Sequence, residues 1–249
     1  MKIKILSYSL VFTLMLLGCT PSSTKFLTTN QYYFNNKSIL LITPMINIEI
    51  LKNKKESAKK DEVEALNQEV GINISQIMNS FFMRRRIKLD KYQYDEVDDY
   101  LPLKEILEYH KKLTTSKSGN AMNYSKTNLK KIFDSIKVSD NLCDYIKGKK
   151  NRFALSTLTV GFTRTDINNK SRKVDNVAKT LIFGAGAFGP TSGGWRVKDE
   201  FFVQTYFFLI DAERKQLAMF HKKEDIFEPR NKERLQGLVN EGLSDFWKY

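Results

Sequence analysis

The stretch Ser38-Ile39-Leu40-Leu41-Ile42-Thr43 is an unbroken aliphatic run, closed by Pro44. Successive side chains of a strand point to opposite faces, so a run with no polar alternation has neither face to give to water. Its length and polar bounds predict a strand buried on both faces. Proline has no N–H to donate to a neighbouring strand, which predicts that this strand stops at Pro44.

A sheet strand covered in this way needs helices. Over residues 61–84, Val63, Leu66, Val70, Ile74, Ile77 and Phe81 recur at spacings of three and four, which puts them on one helical stripe. Asp61, Glu62 and Glu64 near the start, with Arg84, Arg85 and Arg86 at the end, suit the helix dipole. The arginine run also has the charge to meet an anionic partner, though dipole complement and solubility account for it more cheaply. Residues 87–94 form a second, weaker strand candidate. Strand, long helix and strand make a βαβ unit with parallel pairing.

Helical pieces follow at Tyr100 to Lys112, around Leu129, Ile132, Phe133 and Ile136, and from Asp140 to Gly148. Residues 152–164 alternate, with Ala154, Ser156, Leu158, Val160 and Phe162 on one side and Phe153, Leu155, Thr157 and Thr159 on the other. Phe201 to Ile210 is nearly apolar throughout, Asp211 to Lys215 is a polar turn, and Gln216 to His221 returns as the partner strand of a hairpin. A last helix over Lys232 to Trp247 carries Leu235, Leu238, Val239, Leu243 and Phe246 on one face. The expected architecture is one α/β domain over residues 37–249. It has a mixed sheet of four to five strands with helices on at least one face, a late β-hairpin and a C-terminal helix.

Between the two long strands lies a Gly-rich insertion, residues 165–199. Its Gly184-Ala185-Gly186-Ala187-Phe188-Gly189 spells the spacing of a dinucleotide loop. That chemistry needs a helix opening inside the motif, and Pro190 with Gly193-Gly194 would break one within a turn. Leu181, Ile182, Phe183, Phe188 and Trp195 make the middle of the insertion apolar, and Lys170, Arg172, Lys173, Lys179, Arg196 and Lys198 flank it. These five apolar residues are the candidate partner-binding set, because contiguous exposed apolar surface marks interaction sites. A surface loop with a small buried plug is the competing reading.

Recognisable catalytic chemistry is missing. His110 and His221 stand outside any metal-ligand spacing, so no metal site or cofactor is expected. His110 reads as a surface residue among charged neighbours, and His221, ending a strand, as one facing water. No G-x-S-x-G elbow nominates a serine. Cys143 reads as a small core side chain on a helix. Asp95, Glu96, Asp98 and Asp99 lack the calcium-loop pattern. The formal charge of +13 favours anionic partners. For a chain exported from the cytoplasm those are headgroups, wall polymers or acidic proteins, with no nucleic acid expected.

Export is indicated by the first nineteen residues. Lys2 and Lys4 precede an apolar stretch from Ile5 to Leu17. That is the build of a secretory signal, residues 1–18, and it is shorter than the roughly 20 apolar residues a spanning helix needs. Leu16-Leu17-Gly18-Cys19 resembles the bacterial lipobox, with Leu17 bulkier than the usual occupant of its position. The resemblance implies a diacylglycerol on the Cys19 sulfur, cleavage just before it, and membrane attachment through the acyl chains, palmitate among them. Thr20, where Asp would retain such a protein at the inner membrane, favours an outer-membrane lipoprotein facing the periplasm or the cell surface. Residues 19–36, rich in Ser, Thr and Asn, read as the lipidated cysteine and a flexible tether.

The layout from Cys19 onward resembles a group of envelope lipoproteins. It comprises the curli-secretion lipoprotein family, the lipoprotein activators of penicillin-binding proteins, and the amino-terminal domain of the Tol-system propeller protein. The shared pattern falls here on Cys19, Ile39 to Pro44, Asp61 to Arg84, Arg152 to Arg164, Phe201 to His221 and Lys232 to Trp247. The resemblance implies a non-enzymatic module that binds another cell-envelope protein. It leaves open homo-oligomerisation as a subunit of a secretion or assembly complex. An envelope hydrolase with scattered residues is the alternative from a different class. The insertion lacks the alternation of about 10 residues per strand that a membrane barrel requires.

Overall fold

A computed structural model describes residues 23–27, 38–51, 58–91, 100–114, 126–164 and 201–244. In chain order the elements are β1 (Ser23–Leu27), β2 (Ile39–Leu41), β3 (Met45–Leu51), α1 (Lys60–Met83), β4 (Leu89–Lys91), α2 (Tyr100–Thr114), α3 (Lys126–Ser135), α4 (Asp140–Gly148), β5 (Phe153–Arg164), β6 (Phe201–Asp211), β7 (Gln216–Asp225) and α5 (Lys232–Ser244). The sheet runs β1-β7-β6-β5-β2-β4, and β3 also pairs with β5. Pairing is parallel among β2, β3, β4 and β5 and antiparallel from β5 through β6 and β7 to β1. The expected α/β class with a mixed sheet therefore holds.

The sheet has seven strands, not four or five. One addition lies just past Pro44. Leu41 stands opposite Leu155 and Met45 opposite Leu158, so the three residues 42–44 cross a step in which β5 supplies only Ser156 and Thr157. Pro44 sits in this bulge-like irregularity, where its missing N–H costs no ladder bond, and the chain resumes pairing as β3. The strand does stop at this step, and a separate strand opens directly after Pro44. The second addition is β1, which lies inside the stretch expected to be a tether and pairs with β7 from Ser23 opposite Lys223 to Leu27 opposite Met219. Its Ser/Thr-rich composition disguises an edge strand, which needs little apolar content of its own.

Both faces of the sheet are covered. On one, α1 and α5 pack on Ile48, Leu155, Val203, Phe207 and Leu209. On the other, α2, α3 and α4 pack on Ile42, Leu158, Val160, Tyr206 and Phe208. The two faces of β5 are the two alternating sets visible in its sequence. Gly161 is required by closeness, since a Cβ there would overlap the Phe202 carbonyl of β6.

The helix ends use specific chemistry. Ser139 caps α4, its hydroxyl accepting from the Leu142 N–H at 3.1 Å, and Asn231 does the same for α5 by accepting from the Arg234 N–H at 3.1 Å. The arginines after α1 serve its C-terminus. Arg84 Nε donates to the Ser80 carbonyl at 3.2 Å, and the Arg85 guanidinium lies 3.6 Å from the Phe81 ring centroid while donating to the Phe81 carbonyl. Arg86 takes a left-handed φ of 57° that ends the helix.

At one end of the sheet the β6–β7 turn is organised by Asp211. Its carboxylate accepts from the Glu213 and Arg214 N–H groups at 3.1 and 3.3 Å and holds Arg152 through two bonds of 3.0 and 2.7 Å. At the opposite end, Thr163 Oγ1 donates to Glu228 at 2.8 Å and fixes the turn that leads into α5.

Candidate functional site

Polar residues inside an apolar sheet cost free energy unless they find partners. β6 and β7 place such residues face to face. Gln204 stands opposite Glu224, and Tyr206 opposite Lys222. All four point to the face covered by α2, α3 and α4, because residues two apart on a strand share a face. The Tyr206 hydroxyl donates to the Gln204 amide oxygen, and the Gln204 amide nitrogen donates to Glu224 at 2.6 Å. Lys222 closes the series with an ion pair to Glu224 at 2.8 Å. His110, from α2, sets its ring edge-on against Tyr206 with centroids 4.5 Å apart.

This seam brings Tyr206, Lys222, Glu224 and His110 together on the face covered by α2, α3 and α4. Its electrostatics hold the groups in fixed states. Burial is the main force that keeps His110 neutral, with a push from Lys111, and it lowers the imidazole pKa to about 4. Burial, and then the Glu224 charge, raises the Tyr206 phenol well above its usual range. Tyr206 is wholly buried and Gln204 nearly so, whereas Lys222 and Glu224 reach towards solvent. A neutral imidazole against an un-ionised phenol, with no solvent path to the phenol, is a positioned structural element more than a proton-transfer pair.

The other expected positions fall as follows. His221 does not face water: it is fully buried, and its Nδ1 lies 2.8 Å from the Gly242 carbonyl oxygen of α5. His110 is half-buried and not a free surface residue, because α2 turns its ring onto Tyr206. Cys143 is a buried thiol in the core under α4, and burial raises its pKa. No group of three or more potential metal ligands occurs among the described residues. Cys19, the acidic cluster 95–99, and Leu181, Ile182, Phe183, Phe188 and Trp195 lie outside the described residues. The ends of the insertion are nevertheless defined. β5 finishes at Arg164, β6 opens at Phe201, and Phe201 pairs with Thr163, so residues 165–200 leave and return at adjacent points of the sheet.

The seam itself was not foreseen. Its one visible sign is Gln204, an amide within the aromatic-rich run of β6, and only the β6–β7 register brings Glu224 and Lys222 to it.

No family model and no curated protein sequence matches the chain. Among solved structures, the PelC dodecamer from Paraburkholderia phytofirmans is similar at 7% identity with a TM-score of 0.38, covering 90% of this chain and 97% of that one. A point variant of the same dodecamer gives 8% identity, a TM-score of 0.37 and coverage of 90% and 96%. Values of this size carry no functional conclusion.

Proposed function

We propose that this chain is a lipid-anchored protein of the bacterial cell envelope, held at the outer membrane through Cys19. It acts as a non-enzymatic adaptor or assembly module that binds another envelope protein. The observation that carries the reading is the order Lys2 and Lys4, apolar residues from Ile5, then Leu16-Leu17-Gly18-Cys19. No helix among the described residues is long and apolar enough to cross a membrane.

The proposed partner-binding residues are Leu181, Ile182, Phe183, Phe188 and Trp195. Their segment is mounted on two central strands, β5 and β6, the placement in which a rigid scaffold presents a binding segment. The test is in-cell crosslinking and pull-down of the full chain, of Cys19→Ser and of a chain lacking residues 177–189. Recovery of one envelope protein by the full chain, reduced in both variants, is expected. Unchanged recovery from the deletion would remove the insertion from the interface. Recovery of this chain alone would point to a self-assembling subunit.

A further inference from the structure

The register of four strands fixes the end of the sheet at which β1 opens. Ser23 opens β1 opposite Lys223, and Lys223 stands opposite Thr205, itself opposite Thr159 of β5. Because β1 is antiparallel to β7, Ser23 stands at the end of β1 towards which β7 proceeds to Asp225 and Ile226. That is the end at which β5 finishes and β6 opens. Cys19 is four residues before Ser23. At about 3.6 Å per extended residue those steps span at most about 14 Å. The β6–β7 turn at the other end lies about 20 Å from Lys223, at about 3.3 Å per strand residue, and is out of reach.

The surface at the near end suits a bilayer. Ile226 is one of few large apolar side chains exposed among the described residues, at 54%. The bond from Thr163 to Glu228 holds its turn against the end of β5. Exposed lysines stand at the same end, Lys59 and Lys60 at the start of α1 and Lys232 at the start of α5, beside the first-turn carboxylates Asp61, Glu62 and Glu233, with Lys60 paired to Glu64 at 3.4 Å. Asn67, seven residues into α1 from Lys60, accepts from the Ile48 N–H at 2.9 Å, which places the earlier turns of α1 beyond β3 at this end. Such residues match an interfacial contact, with an apolar side chain in the headgroup boundary and cations beside phosphates.

We infer that the end of the sheet bearing Ile226, Lys59, Lys60 and Lys232 rests on a phospholipid bilayer, while the Asp211–Gln216 turn points away from it. The inference rests on the membrane attachment proposed above. It requires that the attachment lie at Cys19 or nearer to Ser23, and not that it be an acyl chain.

The test is tryptophan quenching in the purified full chain reconstituted into phosphatidylethanolamine and phosphatidylglycerol vesicles, with or without brominated acyl chains. Ile226→Trp and Arg214→Trp, both at the surface, are compared with the wild type, whose Trp195 and Trp247 give the background. The emission added by Ile226→Trp is expected to fall by about half or more in brominated vesicles, as for a side chain at the acyl boundary. That added by Arg214→Trp should not change. A chain that floats with the vesicles yet shows no added quenching at residue 226, or more at 214, overturns the orientation alone. A chain that does not float overturns the attachment and the orientation with it. Intact mass of the floated chain separately reports whether Cys19 is acylated.

Discussion

The Nδ1–H of His221 donates to the carbonyl oxygen of Gly242 across 2.8 Å, tying the middle of β7 to the last turn of α5. The same glycine lies against the Phe207 ring, which a Cβ at residue 242 would overlap. Gly242→Ala is therefore expected to lower stability by about 1–3 kcal/mol, the usual cost of overpacking. Gly237→Ala, on the same helix with open space around it, should be neutral or raise stability by up to about 1 kcal/mol. Urea titration of the two variants checks the contrast, and equal effects would show that α5 does not seat on Phe207.

His110 makes stability depend on pH. Its folded pKa, about 4, lies below the ordinary value of 6.5. As pH falls through 6.5 the unfolded chain takes up a proton that the folded chain refuses until about pH 4. The stabilisation is thus full above pH 6.5 and is lost between 6.5 and 4, by at most about 3 kcal/mol. The slope over that window should be shallower in His110→Phe. Denaturation at a series of pH values measures it, and identical slopes would place His110 in water.

Tyr206→Phe removes the donor to a buried amide oxygen on Gln204. An orphaned buried acceptor costs about 1–3 kcal/mol. The midpoint of urea unfolding should fall accordingly while secondary structure by circular dichroism stays the same.

Cys143 should resist alkylation in the folded chain and react fully once the chain is unfolded, because the thiol is buried and its pKa is raised. Mass spectrometry after iodoacetamide treatment reads this directly. Rapid native labelling would mean that α4 opens.

Cys19→Ser should abolish incorporation of labelled palmitate and move the chain out of the membrane fraction. Retention of label would place the acyl group elsewhere.

The sandwich was legible where packing writes a period into the chain. β5 shows its two faces as alternation, and α1 shows its stripe at spacings of three and four. What stayed hidden is long-range. Pro44 carries a correct local rule, but the ladder tolerates it because it falls in a step where β5 is one residue shorter. β1 lacks an apolar pattern, since an edge strand is held by main-chain bonds to β7. His110 and His221 sit among charged or terminal positions in sequence, and only tertiary packing, against Tyr206 and Gly242, half-buries the first and buries the second. The seam depends on a cross-strand register that no single strand encodes.

The placement of β1 has a further consequence. By pairing with β7 it covers a row of N–H and C=O groups that would otherwise form an open margin of the sheet. An uncovered margin is a template for another molecule's strand and a route to aggregation. β1 covers residues 219–223 of β7 and becomes the open margin there, so a chain begun at residue 37 would expose the whole outer side of the longer strand β7.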